Sequence, residues 1–237
     1  ATALLLERAA QLTPDPERRA ERELAASQVH VLAGTVDRAD ALLDQAAQGL
    51  RNPLSIAEAT RLQGRVEATC GRVAEAAGSL VDGARRLRSF DPLAARDALL
   101  SALESAAFAG WAPSAPLLGE IAEIARDLPP TGDPPGSAPM LLLQGYTARL
   151  TAGYAAGVPP LRGAIAAFLR GDADPDLALR RLELTAISAA DLLDELGRRR
   201  RSDRPYQFGW RLLRRHARAE RFSLRRSGRE GGQSSCS

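Results

Sequence analysis

The chain has 237 residues, of which 45% are hydrophobic, 26% charged and 4% aromatic, and its formal net charge is +3. Its wealth of alanine, leucine, arginine and glutamate favours helix, because these side chains lose little conformational entropy there. No apolar run reaches the roughly 18 residues that a membrane-spanning helix needs, so a membrane partner is not expected.

Asx–proline pairs mark where three of the first helices begin. Asp15-Pro16, Asn52-Pro53 and Asp91-Pro92 each place a capping side chain directly before a proline. The Asx oxygen accepts a hydrogen bond from an exposed backbone N–H, and proline suits the first helical position because its missing N–H is not needed there. The three predicted starts are separated by 37 and 39 residues.

A glycine recurs on the same period near the end of each helical run. Each follows a small residue, and the four are Gly34, Gly71, Gly110 and Gly153. The residues after the first two glycines coincide, which aligns Val36, Ala39, Leu43 and Ala46 with Val73, Ala76, Leu80 and Gly83. Such a helix–glycine–helix unit predicts stacked antiparallel helix pairs, because one pair alone cannot bury its apolar face.

These signals predict an all-α fold, a tetratricopeptide-like solenoid of helical hairpins over residues 1–195. We expect helices at about 2–12, 16–33, 37–48, 53–70, 73–88, 92–109, 115–128, 138–152, 159–170 and 176–195. The longest interruption, residues 129–139, contains repeated prolines that forbid regular structure, so we expect a connector or a flexible rim there.

Residues 196–237 differ from the rest of the chain in charge. They carry 13 arginines and 3 acids, a net charge of +10, whereas residues 1–195 carry 19 arginines and 26 acids, a net charge of −7. We expect a basic, partly disordered tail with room for one amphipathic helix over 208–226. Three interpretations stay open: a solvated or frame-altered end, a helix packed on the solenoid, and nucleic-acid binding. The candidate nucleic-acid-binding residues are Arg198, Arg199, Arg200, Arg201, Trp210, Arg211, Arg214 and Arg215.

Three stretches carry a resemblance to a known family. They are LLLERAAQLTPDPERRAERELAASQVHVLAG (4–34), LQGRVEATCGRVAEAA (62–77) and DPLAARDALLSALESAAFAG (91–110). Residues 4–195 resemble the middle region of large ATP-binding LuxR-type transcriptional regulators of actinobacteria. Within this region Gly64, Ala76 and Leu80 have the small–small–large spacing of tetratricopeptide units.

The resemblance implies a cytoplasmic protein with a nucleotide-binding module, a helical-repeat sensor and a C-terminal helix-turn-helix. Only the middle part matches, so this chain is expected to be a fragment of such a regulator. The chain contains no lysine, which excludes a phosphate-binding loop of the GxxxxGK[ST] type. An arginine-rich tail stands where further repeats and the DNA-binding helices are expected, so neither ATP hydrolysis nor operator binding is assigned to any residue.

Individual reactive residues favour structural roles. His30 has no second ligand at metal spacing, and Cys70 stands where the other units have alanine, which favours a small packed residue. Its distance from Cys236 argues against a structural disulfide and for a reducing cytoplasm. The alternating acids Asp172, Asp174 and Asp176 lack the glycine and terminal glutamate of a calcium loop, so a helix cap explains them better.

Neither Ser101 nor Ser188 has a histidine in any recognisable nucleophile motif. The sequence therefore predicts no catalytic, cofactor-binding or metal-binding residue, and it predicts that the protein is not an enzyme. The favoured function is a non-catalytic sensor or interaction module that holds a protein partner, peptide or small ligand on the concave repeat surface. The alternative is a nucleic-acid-binding protein that acts through its basic tail.

Overall fold

The computed structural model describes residues 2–111, 113–130, 132, 134, 136–170 and 181–200, with side chains in the last helix described as far as Leu193. All regular structure in these residues is α-helical, which confirms the all-α class. The ten helices of the described part are α1 (Thr2–Gln11), α2 (Pro16–Leu32), α3 (Val36–Gly49), α4 (Pro53–Thr69), α5 (Val73–Leu87), α6 (Pro92–Ala109), α7 (Ala115–Arg126), α8 (Ala138–Ala152), α9 (Tyr154–Leu169) and α10 (Leu182–Arg200).

The predicted helix starts are confirmed, and so is their mechanism. The side chains of Asp15, Asn52 and Asp91 accept hydrogen bonds from backbone N–H groups two or three residues ahead, at 2.8, 2.9 and 2.9 Å. In each case proline follows in the first helical turn. Local sequence alone therefore fixes where α2, α4 and α6 begin.

Gly34 and Gly71 close their helices by the same geometry. Both have positive φ, +74° and +82°, a backbone conformation that glycine adopts without steric cost. The N–H of Thr35 then donates to the His30 carbonyl at 3.0 Å, and the N–H of Arg72 donates to the Glu67 carbonyl at 2.9 Å. The recurring glycine is thus a recurring helix stop, as the sequence predicts.

Close approaches between paired helices occur where one helix has a glycine and the next a leucine. A Cβ atom on Gly64 would lie 2.6 Å from Leu80 Cγ, and one on Gly145 would lie 2.6 Å from Leu161 Cγ. Both pairs are 16 residues apart, and both leucines are buried. Any side chain at either glycine would push its two helices apart, so α4–α5 and α8–α9 share one packing geometry.

The most extensive contacts between sequence neighbours are α1–α2, α2–α3, α4–α5, α5–α6 and α8–α9. In addition α2 contacts α4, α4 contacts α6 and α6 contacts α8, so these four helices lie side by side in order. We call them the even layer. The largest apolar core runs through α5 to α10, and a second cluster joins α2, α3 and α4.

Two helix boundaries differ from the prediction. Helix α9 begins at Tyr154 rather than 159 and contains Pro159 and Pro160 in its interior. Gly157, in the added turn, lies so close to α8 that a Cβ on it would be 2.7 Å from the Gly145 carbonyl oxygen. Tertiary packing against α8 therefore stabilises this turn. Helix α10 continues past 195 to Arg200, where arginines favour a helix C-terminus. The predicted start of this helix at 176 lies outside the described residues.

Candidate functional site

The basic tail residues lie almost entirely outside the described part of the chain. Arg198, Arg199 and Arg200 form the end of α10, but their side chains are not described. The other nucleic-acid candidates, together with the acids of residues 172–176, fall outside the described residues: Arg201, Trp210, Arg211, Arg214 and Arg215. Nucleic-acid binding through these residues stays a prediction.

His30 belongs to a buried polar cluster that ties the first three helices together. Its Nε2 lies 2.7 Å from Glu7 Oε1, and its Nδ1 lies 2.7 Å from Thr35 Oγ1. The same Glu7 carboxylate accepts hydrogen bonds from Arg38. The Arg38 hydrogen bonds hold the pKa of Glu7 below its usual value. No group of three or more potential metal-ligating side chains occurs among the described residues.

Cys70 lies at the C-cap of α4, directly before Gly71, and its side chain is half-buried. It is not a free thiol, so the expectation of a small packed thiol is wrong. The other cysteine, Cys236, lies outside the described residues. The reducing compartment that the sequence suggests therefore stays a prediction.

A second buried polar cluster joins α6 to the start of α10. Arg181 is only 4% exposed. Its Nη1 donates to Ser101 Oγ at 3.1 Å, and its Nη2 donates to the Asp97 carbonyl oxygen at 2.9 Å and to the Asp97 carboxylate. A Glu104 carboxylate oxygen lies 4.0 Å from Arg181 Nη1. Asp97, Ser101 and Glu104 share one face of α6 because helical residues three and four apart are neighbours.

Burial raises the pKa of Glu104 to about 7, against the opposing effect of the Arg181 charge. The carboxylates of Glu183 and Asp97 raise this pKa further, while a hydrogen bond with the Leu184 backbone lowers it. Arg181 is already engaged by Asp97 at short range, so it neutralises Glu104 only in part. Glu104 therefore changes its charge near neutral pH in this environment.

A third polar cluster joins α8 and α9 to the middle of α10. The Tyr146 hydroxyl lies 3.0 Å from Ser188 Oγ, and burial of this tyrosine raises its pKa. Arg149 Nη1 donates to Asp191 Oδ2 at 2.7 Å. The guanidinium of Arg149 also lies 5.1 Å from the centre of the Tyr154 ring, within cation–π range.

Both clusters meet a single face of α10. The residues of this face are buried or form the contacts above. They follow a helical spacing of three or four positions, with Asp191 and Leu192 both one turn after Ser188: Arg181, Leu184, Ser188, Asp191 and Leu192. They cover Asp97, Ser101, Glu104, Tyr146 and Arg149, which we call the α6–α8 face. Ser101 and Ser188 thus serve as hydrogen-bonding partners between helices.

Sequence reasoning missed the α6–α8 face. Two complementary sequence patterns could have indicated it. One is the pair of acids Asp97 and Glu104, and the other is Arg181 directly before a helix with apolar residues along one face. Nothing local links these patterns, because Arg181 and Ser101 are separated by 80 residues.

Large apolar side chains remain exposed near the ends of three even-layer helices. Leu32 is 65% exposed on α2, Phe108 39% on α6 and Leu150 37% on α8, and each stands two or three residues before a glycine with positive φ. On α4 the corresponding residue, Thr69, is exposed and polar. One end of the even layer therefore presents apolar side chains at equivalent positions.

Comparison with known proteins finds no family model that matches this chain, no curated protein similar to it and no solved structure that resembles it. Among the described helices, none combines the length and the apolar character needed to cross a membrane.

Proposed function

We propose that this chain is a non-catalytic sensor or interaction module, built as a tetratricopeptide-like array of helical hairpins and belonging to a LuxR-type transcriptional regulator. The observation that carries the proposal is the repeated packing unit. Ser27, Gly64 and Gly145 are each followed after 12 residues by a second small residue and after 16 by a buried leucine. At the first of them Ser27 Oγ donates to the Ala39 carbonyl at 2.7 Å.

The partner of this module is proposed to bind along the even layer. A row of helices such as the even layer forms an extended surface rather than an enclosed pocket, which suits a peptide or protein domain better than a substrate undergoing reaction. Leu32, Phe108 and Leu150 supply apolar contact area there. Full burial of such a side chain is worth about 2 kcal/mol, so two or three of them supply at most about 4 to 6 kcal/mol of the roughly 8 kcal/mol that micromolar binding requires, and polar contacts of the partner must supply the rest.

The proposal assigns no catalytic step, cofactor or metal to the chain. Its cytoplasmic location and its actinobacterial regulator context rest on the resemblance of residues 4–195. Turnover of ATP by the purified chain would contradict the non-catalytic assignment.

Peptide-library selection on the full chain tests the binding surface. We expect selected peptides to bind with micromolar Kd by calorimetry and to lose about tenfold in affinity on Phe108→Asp. The matched control is Phe90→Asp, since Phe90 is also exposed but lies at the turn before α6, far along that helix from Phe108. Peptides whose binding ignores Phe108, Leu32 and Leu150 would refute this surface.

The second candidate is nucleic-acid binding through the tail, and the net charge of +10 over residues 196–237 favours it. Because α10 runs through Glu195 to Arg200, truncation after 195 would cut a helix, so substitution is the cleaner test. Changing Arg211, Arg214 and Arg215 to glutamine should weaken binding of a DNA oligonucleotide. Each arginine that binds a phosphate should, when replaced, reduce the slope of log K against log salt by about one. An unchanged slope would exclude these residues.

A further inference from the structure

We propose that α10 is an intramolecular ligand of the α6–α8 face, and that this face binds a partner helix in its place when α10 leaves. The inference deepens the proposed function and rests on it, because it names one binding surface of the module and the kind of partner that fits there.

The position of α10 supports this role. A helix that only extended the even layer would contact α8 and α9, its nearest predecessors. Helix α10 contacts α9 and reaches back to α6 as well, and its side chains bond to Tyr146 and Arg149 of α8. It therefore lies across two successive helices of the layer, as a bound helical peptide would.

The chemistry of the contact is that of an amphipathic helix seated in a groove. Leu184 and Leu192 of α10 are buried in the largest apolar core, and they supply the apolar part of the contact. Arg181 against Asp97 and Asp191 against Arg149, two to three turns apart, fix the position of the helix along the face. Desolvation of these ions offsets much of their attraction, so they add specificity more than net free energy. Partner helices bind grooves by the same combination of apolar anchors and fixed polar contacts.

The same contacts define the partner. It is an amphipathic helix that carries arginine at its start, an apolar residue one turn later, a small hydroxyl residue one turn further and an acid after that, the pattern of residues 181–191. Arginine suits the first position because its planar fork contacts the Asp97 carboxylate, the Asp97 carbonyl and Ser101 together.

A competition experiment on the full chain tests the inference. The probe is a fluorescent peptide with the sequence of residues 181–193, RLELTAISAADLL. In the full chain, Arg181→Gln with Asp191→Asn loosens α10 while leaving every residue of the α6–α8 face unchanged. We expect this variant to bind the peptide at least tenfold more tightly than the wild-type chain, because its face is open for a larger fraction of the time.

Two controls make the result specific. Arg126→Gln with Asp127→Asn changes the same charges at an exposed ion pair away from α10, and it should bind the peptide as the wild type does. A peptide that carries the Arg181→Gln and Asp191→Asn changes should show no gain on any variant. Equal peptide binding by the wild type and the loosened variant, at equal helix content by circular dichroism, would overturn the inference.

If the loosened variant loses helix content, hydrogen exchange of the wild-type chain decides. Faster exchange in α10 than in α6 and α8 supports a helix that leaves on its own, and equal protection in all three overturns it. A selected peptide that binds through Phe108 but is indifferent to the α10 substitutions would refute this inference and leave the proposed function standing.

Discussion

The contact between α4 and α5 differs in kind from the contact between α10 and the α6–α8 face. In the first, a glycine with no side chain lets Leu80 sit against the backbone of α4, and the buried contact is apolar. In the second, Arg181 and Tyr146 are buried beside the half-buried Glu104, and Leu184 and Leu192 of α10 pack in the same contact. The glycine–leucine contact depends on apolar close packing alone, whereas the α10 contact adds ion pairs that give specificity with little net free energy.

Removing the leucine of the hairpin should have the largest effect. Leu80→Ala deletes a side chain that is only 1% exposed and leaves a cavity between α4 and α5, so we expect a loss of about 3 kcal/mol in the free energy of unfolding, measured with urea. The matched control is Leu169→Ala, whose side chain is 79% exposed, and it should change stability by less than about 0.5 kcal/mol. Equal losses of unfolding free energy in the two variants would show that the Leu80 contact between α4 and α5 does not stabilise the fold.

Adding a methyl group at the same contact should have the next largest effect. Gly64→Ala forces a Cβ to within 2.9 Å of the Leu80 backbone nitrogen, and we expect a loss of about 2 kcal/mol. Gly78→Ala, on the same hairpin, adds a Cβ that meets nothing within 4 Å. It should raise stability by about 0.5 kcal/mol, because alanine favours helix over glycine. If both variants changed the free energy of unfolding in the same direction, as measured with urea, the close approach of Gly64 to Leu80 would be refuted.

The polar cluster of the first hairpin should have an intermediate effect with a marked pH dependence. Glu7→Gln removes the carboxylate that His30 and Arg38 share, and we expect a loss of about 1.5 kcal/mol at pH 7. The folded pKa of Glu7 lies below the ordinary value of 4.5, so its contribution is present above that value and is lost as pH falls through the folded pKa. The difference between wild type and variant should therefore shrink in acid unfolding, and a constant difference would contradict this assignment.

The α10 contact should show the smallest effect and the opposite pH dependence. The pKa of Glu104 is raised from 4.5 to about 7, so its protonated form favours the docked helix below the free value and that contribution is lost as pH rises through 7. We expect α10 amides to exchange several-fold faster at pH 8 than at pH 6 after correction for intrinsic rates. Glu104→Gln should abolish this difference, and a difference that persists in the variant would assign it to another group.

The first hairpins were predictable because their signals are local. Asx–proline starts and glycine stops act through hydrogen bonds within two to five residues, so Asp15, Gly34, Asn52 and Gly71 could be assigned from sequence alone. The α8–α9 hairpin was included in the repeat through Gly153, but its Gly145–Leu161 packing pair was not predicted, because the loop at 129–139 lengthens the period before Gly145. Prolines 159 and 160 also suggested a later start for α9, where packing of Gly157 on α8 decides the boundary.

The α6–α8 face was not predictable in the same way. Its charges are complementary only after folding has brought α10 onto α6, and neither Asp97 nor Arg181 carries a local pattern that points to the other. Composition gave no sign that an arginine would be buried beside a half-buried glutamate, because such pairing depends on tertiary neighbours.

The identical turns at Gly34 and Gly71 have an evolutionary consequence. Each unit begins with an Asx–proline helix start and contains a glycine at which the first helix ends, with equivalent backbone hydrogen bonds in both units. The connections at the two ends of residues 16–52 therefore resemble those of residues 53–91. A gene segment that encodes one unit can be duplicated or deleted without any change to the sequences that start and end its helices. Variation in the number of hairpins is therefore an accessible evolutionary route by which such a chain changes the length of its even layer.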